Sequence, residues 1–134
     1  MRYMFLVYTQ EEKQAQLSPE ERASVFAGHR AVQEETKRLG ILDGAEPLKP
    51  TTTATTVRYQ NGKPLVTDGP FAETKEQLAG YYIIDCKNLD EAIEWAKKIP
   101  TSCGGNLGSV EIRPIQDITE LRNRIQEGLA TQNA

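Results

Sequence analysis

The sequence predicts a single α+β domain built on one antiparallel sheet, and three observations predict it. Two segments carry complete helix signals with an apolar stripe at helical spacing. Residues 3–8 and 81–84 are apolar on both alternating faces, the pattern of strands covered on both sides. Between the two helical segments stands Asn61-Gly62 among β-prone residues, a type I′ hairpin signal. A chain of 134 residues suits one such domain.

The first strand, residues 2–8, sets Tyr3, Phe5 and Val7 on one face and Met4, Leu6 and Tyr8 on the other. The first helix is marked by Ser18 as N-cap, Pro19 at the first helical position and Glu21 closing a capping box. It is expected to run to Arg38 or Leu39, with Gly40 as its left-handed stop. Its inward stripe is Val25, His29, Val32, Thr36 and Leu39, with Phe26 at the edge. Ile41 to Pro50, holding two prolines and a glycine, reads as a connector.

Thr55–Gln60 and Lys63–Thr67 are expected to pair as the hairpin, with Pro64 marking an edge. The chain then enters Asp68-Gly69-Pro70, which is turn chemistry: Asp bonds its own backbone, Gly permits positive φ and Pro fixes its own. Phe71 is expected to anchor this loop to the body. Tyr81–Asp85 is the next strand. A second helix opens at Asn88 with Glu91 and is expected to bury Leu89, Ala92, Ile93, Ala96 and Ile99, with Trp95 flanking and Pro100 ending it. Cys103-Gly104-Gly105-Asn106 reads as a loop, Ser109–Arg113 as the last strand, and Asp117 with Glu120 as the cap of a third helix.

The resulting order is β-α-β(hairpin)-β-α-β. Two right-handed crossovers put both helices on one sheet face, the ferredoxin-like arrangement. The other face would be bare yet apolar, so a homodimer formed face to face is expected.

Composition excludes several classes. With 16 basic and 19 acidic residues and a net charge of −3, no basic stripe exists to serve nucleic acid. Two cysteines, Cys86 and Cys103, and one histidine make neither a disulfide framework nor a metal pattern. Gly104-Gly105 lacks a strand–helix context for a nucleotide, and no cofactor is expected. The apolar run at the amino terminus is too short for a signal peptide or a membrane span, so a cytoplasmic protein is expected.

Two places carry chemistry. His29 is the imidazole best matched to neutral pH, set against the plain alternative of a core histidine bonded to backbone. Residues 67–82 gather Asp68, Glu73, Lys75 and Glu76 beside a pinned backbone, set against a turn with an ordinary surface ion pair. Tyr82 is expected to pack, or to orient a ligand with its phenol.

The run Asp-Gly-Pro-Phe-Ala-Glu-Thr-Lys-Glu-Gln-Leu, followed by Gly-Tyr-Tyr-Ile-Ile-Asp, resembles the signature of the YCII-related, DGPF-type family. Thr-Ala-Thr-Thr-Val-Arg from Thr53, Leu-Asp-Glu-Ala-Ile-Glu-Trp-Ala from Leu89 and Ser-Val-Glu-Ile-Arg-Pro from Ser109 fit the same pattern. The similarity covers roughly residues 1–115, leaving 116–134 as a helical extension with a frayed tail. The resemblance implies a ferredoxin-like fold that pairs as a dimeric α+β barrel. It also implies a His–acid pair, with His29 as the base and Asp43, Glu46 or Asp68 as the acid, of which Asp68 is favoured.

Under that reading His29 and Asp68 are catalytic, while Phe71, Glu73, Lys75 and Tyr82 bind a substrate. Lys75 would face an anionic group. Two functions follow from the resemblance. One is a cofactor-independent small-molecule enzyme in the manner of muconolactone isomerase and dehydrochlorinases. The other is a non-catalytic ligand-binding or regulatory accessory protein linked to an alternative sigma factor.

Overall fold

The computed structural model describes residues 1–101 and 107–132. The expected Cys103–Asn106 loop and the last two residues of the tail lie outside the described residues. The elements are β1 (Arg2–Thr9), α1 (Glu11–Gln14), α2 (Pro19–Arg38), β2 (Leu42–Pro47), β3 (Thr55–Gln60), β4 (Lys63–Asp68), β5 (Gln77–Asp85), α3 (Leu89–Lys98), β6 (Ser109–Pro114) and α4 (Ile118–Gln132), with a 3-10 turn at Thr51–Thr53. Four strands form one antiparallel sheet in the order β2-β5-β1-β6, and β3 pairs with β4 alone. This is the ferredoxin-like α+β arrangement that the element order predicts. Among the described residues no helix is long and apolar enough to cross a membrane.

One sheet face carries the core. Tyr3, Phe5 and Val7 of β1 stand opposite Ile84, Tyr82 and Gly80 of β5, and the core they form takes in Val32 of α2, Ala92 and Trp95 of α3, and Ile99 just past α3. Helix α2 starts where the capping box places it: Ser18 Oγ accepts from the Glu21 amide at 3.1 Å and Glu21 Oε1 accepts from the Ser18 amide at 3.0 Å. Gly40 at φ 72° lets the chain turn back, and the Ile41 amide donates to the Thr36 carbonyl. In α3, Asn88 Oδ1 accepts from the Glu91 amide at 2.9 Å.

Three expectations about packing need correction. Ile41 to Pro50 is no mere connector, because Leu42–Pro47 is the edge strand β2, paired with β5. Its residues look like turn formers because an edge strand needs only one bonded side, and a register shift between Leu42 and Gly44 takes up the irregularity. In α3 the buried residues are Ala92 and Trp95, with Ile99 just past its end, while Leu89 and Ile93 are exposed, Leu89 at 51%. Trp95 lies three residues beyond Ala92 on one helical face, so the large indole turns inward. Phe71 does not plug the body; it is 69% exposed. Its loop is held instead by polar ties: the Arg58 guanidinium donates to the Phe71 carbonyl, Thr56 Oγ1 to the Gly69 carbonyl, and the Gly69 amide to the Ala54 carbonyl.

The second face of the sheet has Met4, Leu6 and Tyr8 of β1 beside Tyr81 and Ile83 of β5, all half-buried. No helix packs across this face among the described residues; α4 leaves Ile118, Ile125 and Leu129 exposed.

Candidate functional site

His29 sits on α2 three residues before Val32, which turns it toward the sheet, where it is half-buried. Its Nδ1 lies 2.7 Å from the hydroxyl of Tyr82, and the two rings stack with planes 11° apart and centroids 5.9 Å apart. Tyr82 occupies the middle of β5 opposite Phe5 of β1, and it is only 3% exposed. Helix α2 and the end of α3 meet beside this pair: a Cβ on Gly28 would fall 3.0 Å from Cγ of Pro100. That contact brings the Pro100 carbonyl to the imidazole.

The electrostatics follow from burial. Desolvation pushes the His29 pKa below its ordinary value, and the Pro100 carbonyl opposes this in part by favouring the charged ring. The imidazole is therefore neutral at pH 7. Desolvation likewise raises the Tyr82 phenol, against a hydrogen bond with Gln33 that lowers it, so the phenol keeps its proton. In a neutral pair, one partner donates and the other accepts across the 2.7 Å contact.

A cavity of about 170 Å³ opens beside the pair. Val7, Phe26, Ala45, Pro47 and Ala79 give it apolar walls, while Thr9, Gln33 and Thr101 supply hydroxyl and amide groups. Glu46 of β2 also borders it, but Glu46 pairs with Tyr81 while Ala45 pairs with Tyr82, so its side chain lies on the opposite face of the sheet. Gly80 makes the β2 wall possible. A Cβ there would lie 2.6 Å from the Glu46 carbonyl oxygen and 3.1 Å from Cα of Pro47, so only glycine lets the two strands close at this point.

Of the residues singled out in the sequence, the structure brings together His29 and Tyr82. Asp68 ends β4 opposite Thr55, exposed on the separate hairpin. Neither Asp68 nor any residue from 69 to 75 lines the His29 cavity, so the loop is not its wall. The hairpin pairs with itself rather than with the main sheet, which leaves its tip and the loop away from α2. Glu73 and Lys75 line a second, wider and polar cavity of about 480 Å³ together with Glu11, Glu12 and Lys13. Glu11 is already engaged there, accepting from the Thr51 amide at 2.8 Å and from its hydroxyl at 2.7 Å.

Among the three acids weighed as partners for His29, Glu46 borders its cavity with its side chain on the other sheet face, and no hydrogen bond joins the two. Asp43 is 4.0 Å from Arg2 across an exposed ion pair. The reading of Ile41 to Pro50 as a connector hid the strand that carries Glu46. Gln33 was also missed; it stands one helical turn beyond His29 on the same face of α2, a spacing that the sequence shows. Among the described residues no cluster of His, Cys, Asp and Glu is arranged to hold a metal ion.

A family model described as the YCII-related domain matches residues 1–119. A protein of Rhizobium meliloti (strain 1021), itself described as uncharacterized, is 43% identical over 115 residues, which covers 86% of this chain and 92% of the relative.

Proposed function

From the premise that this chain belongs to the YCII-related domain family, we propose that it binds a small molecule beside His29 and moves a proton on it without a cofactor. The observation that carries this reading is the neutral imidazole hydrogen-bonded to a buried phenol at the edge of a cavity. A neutral imidazole can take a proton from a bound molecule. The Tyr82 oxygen then accepts from Nδ1–H of the imidazolium and holds it in place. The phenol thus fills the place expected for a carboxylate. Such a base contributes roughly 10²–10⁴ to a rate.

The test is turnover of a panel of lactones and halogenated phenols by the protein and by His29→Gln. An active parent and a variant slower by ~10²–10⁴ with an unchanged circular dichroism spectrum support the reading. Equal rates would sink it.

A second reading, a binding or regulatory protein without catalysis, draws on one observation: no carboxylate is bonded to His29 to orient it. Under that reading His29→Gln weakens the ligand by ~1–3 kcal/mol and no substrate turns over.

In either case the protein acts as a homodimer. The half-buried apolar residues on the second face of the sheet supply the surface, at the usual scale of ~800 Å² per partner.

A further inference from the structure

Resting on the reading of His29 as the ligand site, we propose that the cavity selects a small, ring-sized molecule that is uncharged and rejects anions and cations. Three features of its walls carry this. The first is size: about 170 Å³ is close to the roughly 150 Å³ of an apolar cavity that takes a benzene-sized guest. A nucleotide or a long acyl chain does not fit that space.

The second is the absence of a counter-charge. No lysine or arginine is among the described residues that line the cavity. An anion entering it leaves water without gaining a cation, and that loss is not repaid by the neutral hydroxyl and amide groups present. The lysine expected to meet an anionic substrate, Lys75, lines the other cavity.

The third is that no carboxylate faces the cavity either, among the described residues. Glu46 borders it but pairs with Tyr81, which puts its side chain on the opposite face of the sheet from His29 and Tyr82, so a cation is left without a partner too. Uncharged donors and acceptors have partners ready in Gln33, Thr9 and the His29–Tyr82 pair.

Benzamide, benzoate and benzamidine share one planar frame and differ in charge, which makes them direct probes. The chain has a single histidine, so its imidazole C–H signals in an NMR titration report this cavity alone. At pH 7.5 benzamide is expected to shift those signals saturably, and benzoate and benzamidine to bind at least about tenfold more weakly. Benzoate binding as tightly as benzamide overturns the charge selection but leaves the His29 site standing. Benzamidine binding as tightly as benzamide overturns that selection likewise. Failure of all three probes to move the histidine signals overturns this proposal and the assignment of the cavity as a ligand site together. Failure of the turnover test alone leaves the charge selection intact, since the titration reads binding only.

Discussion

Nδ1 of His29 and the hydroxyl of Tyr82 stand 2.7 Å apart, joining helix α2 to the central strand β5 across 53 residues of sequence. The contact satisfies two polar groups that packing has taken out of water, so it belongs to stability as well as to chemistry. Tyr82→Phe keeps the ring and its stacking and removes one oxygen. The imidazole then loses its partner, and stability is expected to fall by ~1–2 kcal/mol. Urea unfolding checks this: the midpoint drops with an unchanged slope. An unchanged midpoint would mean that water replaces the phenol without loss.

The pH dependence has a definite sign. Folding lowers the His29 pKa from its ordinary value of about 6.5, so below that value the unfolded chain binds more protons at this position. The His29 contribution is therefore fully present above pH 6.5 and is lost as pH falls from there through the lower folded value. His29→Gln lacks this component. Between pH 5 and 7 the stability of the parent is expected to climb more steeply than that of the variant, as read by thermal unfolding at fixed ionic strength. Parallel curves would contradict the lowered pKa.

Much of the scaffold of this site was legible. The capping box at Ser18 and the Asn88 cap located both helices, although Glu91 accepts from the Lys87 amide rather than closing a box with Asn88, and the stripe of the first helix turned His29 toward the sheet. Two-sided apolarity identified β1 and β5, hence Tyr82. The partner of His29 was not legible, because a phenol on a strand and an imidazole on a helix share no spacing rule. Asp68 was favoured because the Asp-Gly-Pro turn fixes its backbone. That geometry is local, and it does not say where the hairpin carries the turn relative to α2. Leu42–Pro47 was missed for a related reason: Asp43, Gly44 and Pro47 describe a turn by propensity, yet pairing with β5 decides their conformation.

Gly80→Ala tests the close approach that forms the cavity wall. The added methyl would stand 2.6 Å from the Glu46 carbonyl oxygen, a backbone atom held in the β2–β5 ladder. Strand β2 must shift, at an expected cost of ~1–3 kcal/mol. The same shift displaces Pro47 and the Glu46 backbone from the cavity wall, so benzamide binding should weaken alongside stability. A variant that melts and binds like the parent would show that the strands do not close there.

Gly62→Val examines the hairpin turn, which is remote from His29. Asn61 and Gly62 hold φ of 52° and 77°, the type I′ pattern. A β-branched side chain at that φ costs at least ~1–2 kcal/mol. Because β3 and β4 pair only with each other, the loss should show in hydrogen exchange of the hairpin amides, with the histidine signals unmoved. Unchanged exchange would refute the turn assignment.

The sheet face away from the helices gives the last prediction. Leu6 lies at its centre, opposite Tyr81 of β5 on one side and Glu111 of β6 on the other. Met4, Tyr8 and Ile83 surround it on the same face, so an apolar patch is bounded by a charged strand. If two copies meet through this patch, a charge at Leu6 is buried against its own symmetry mate and gains no counter-ion. Leu6→Glu also places a second carboxylate directly across from Glu111, where like charges on paired strands repel. The fold tolerates the change better than the dimer does, because the face toward α2 and α3 keeps its packing. Light scattering at micromolar concentration is therefore expected to give twice the chain mass for the parent and a single chain mass for Leu6→Glu, with the melting of the His29–Tyr82 core preserved. A parent that scatters as one chain, or a variant that remains paired, would remove the sheet face as the interface.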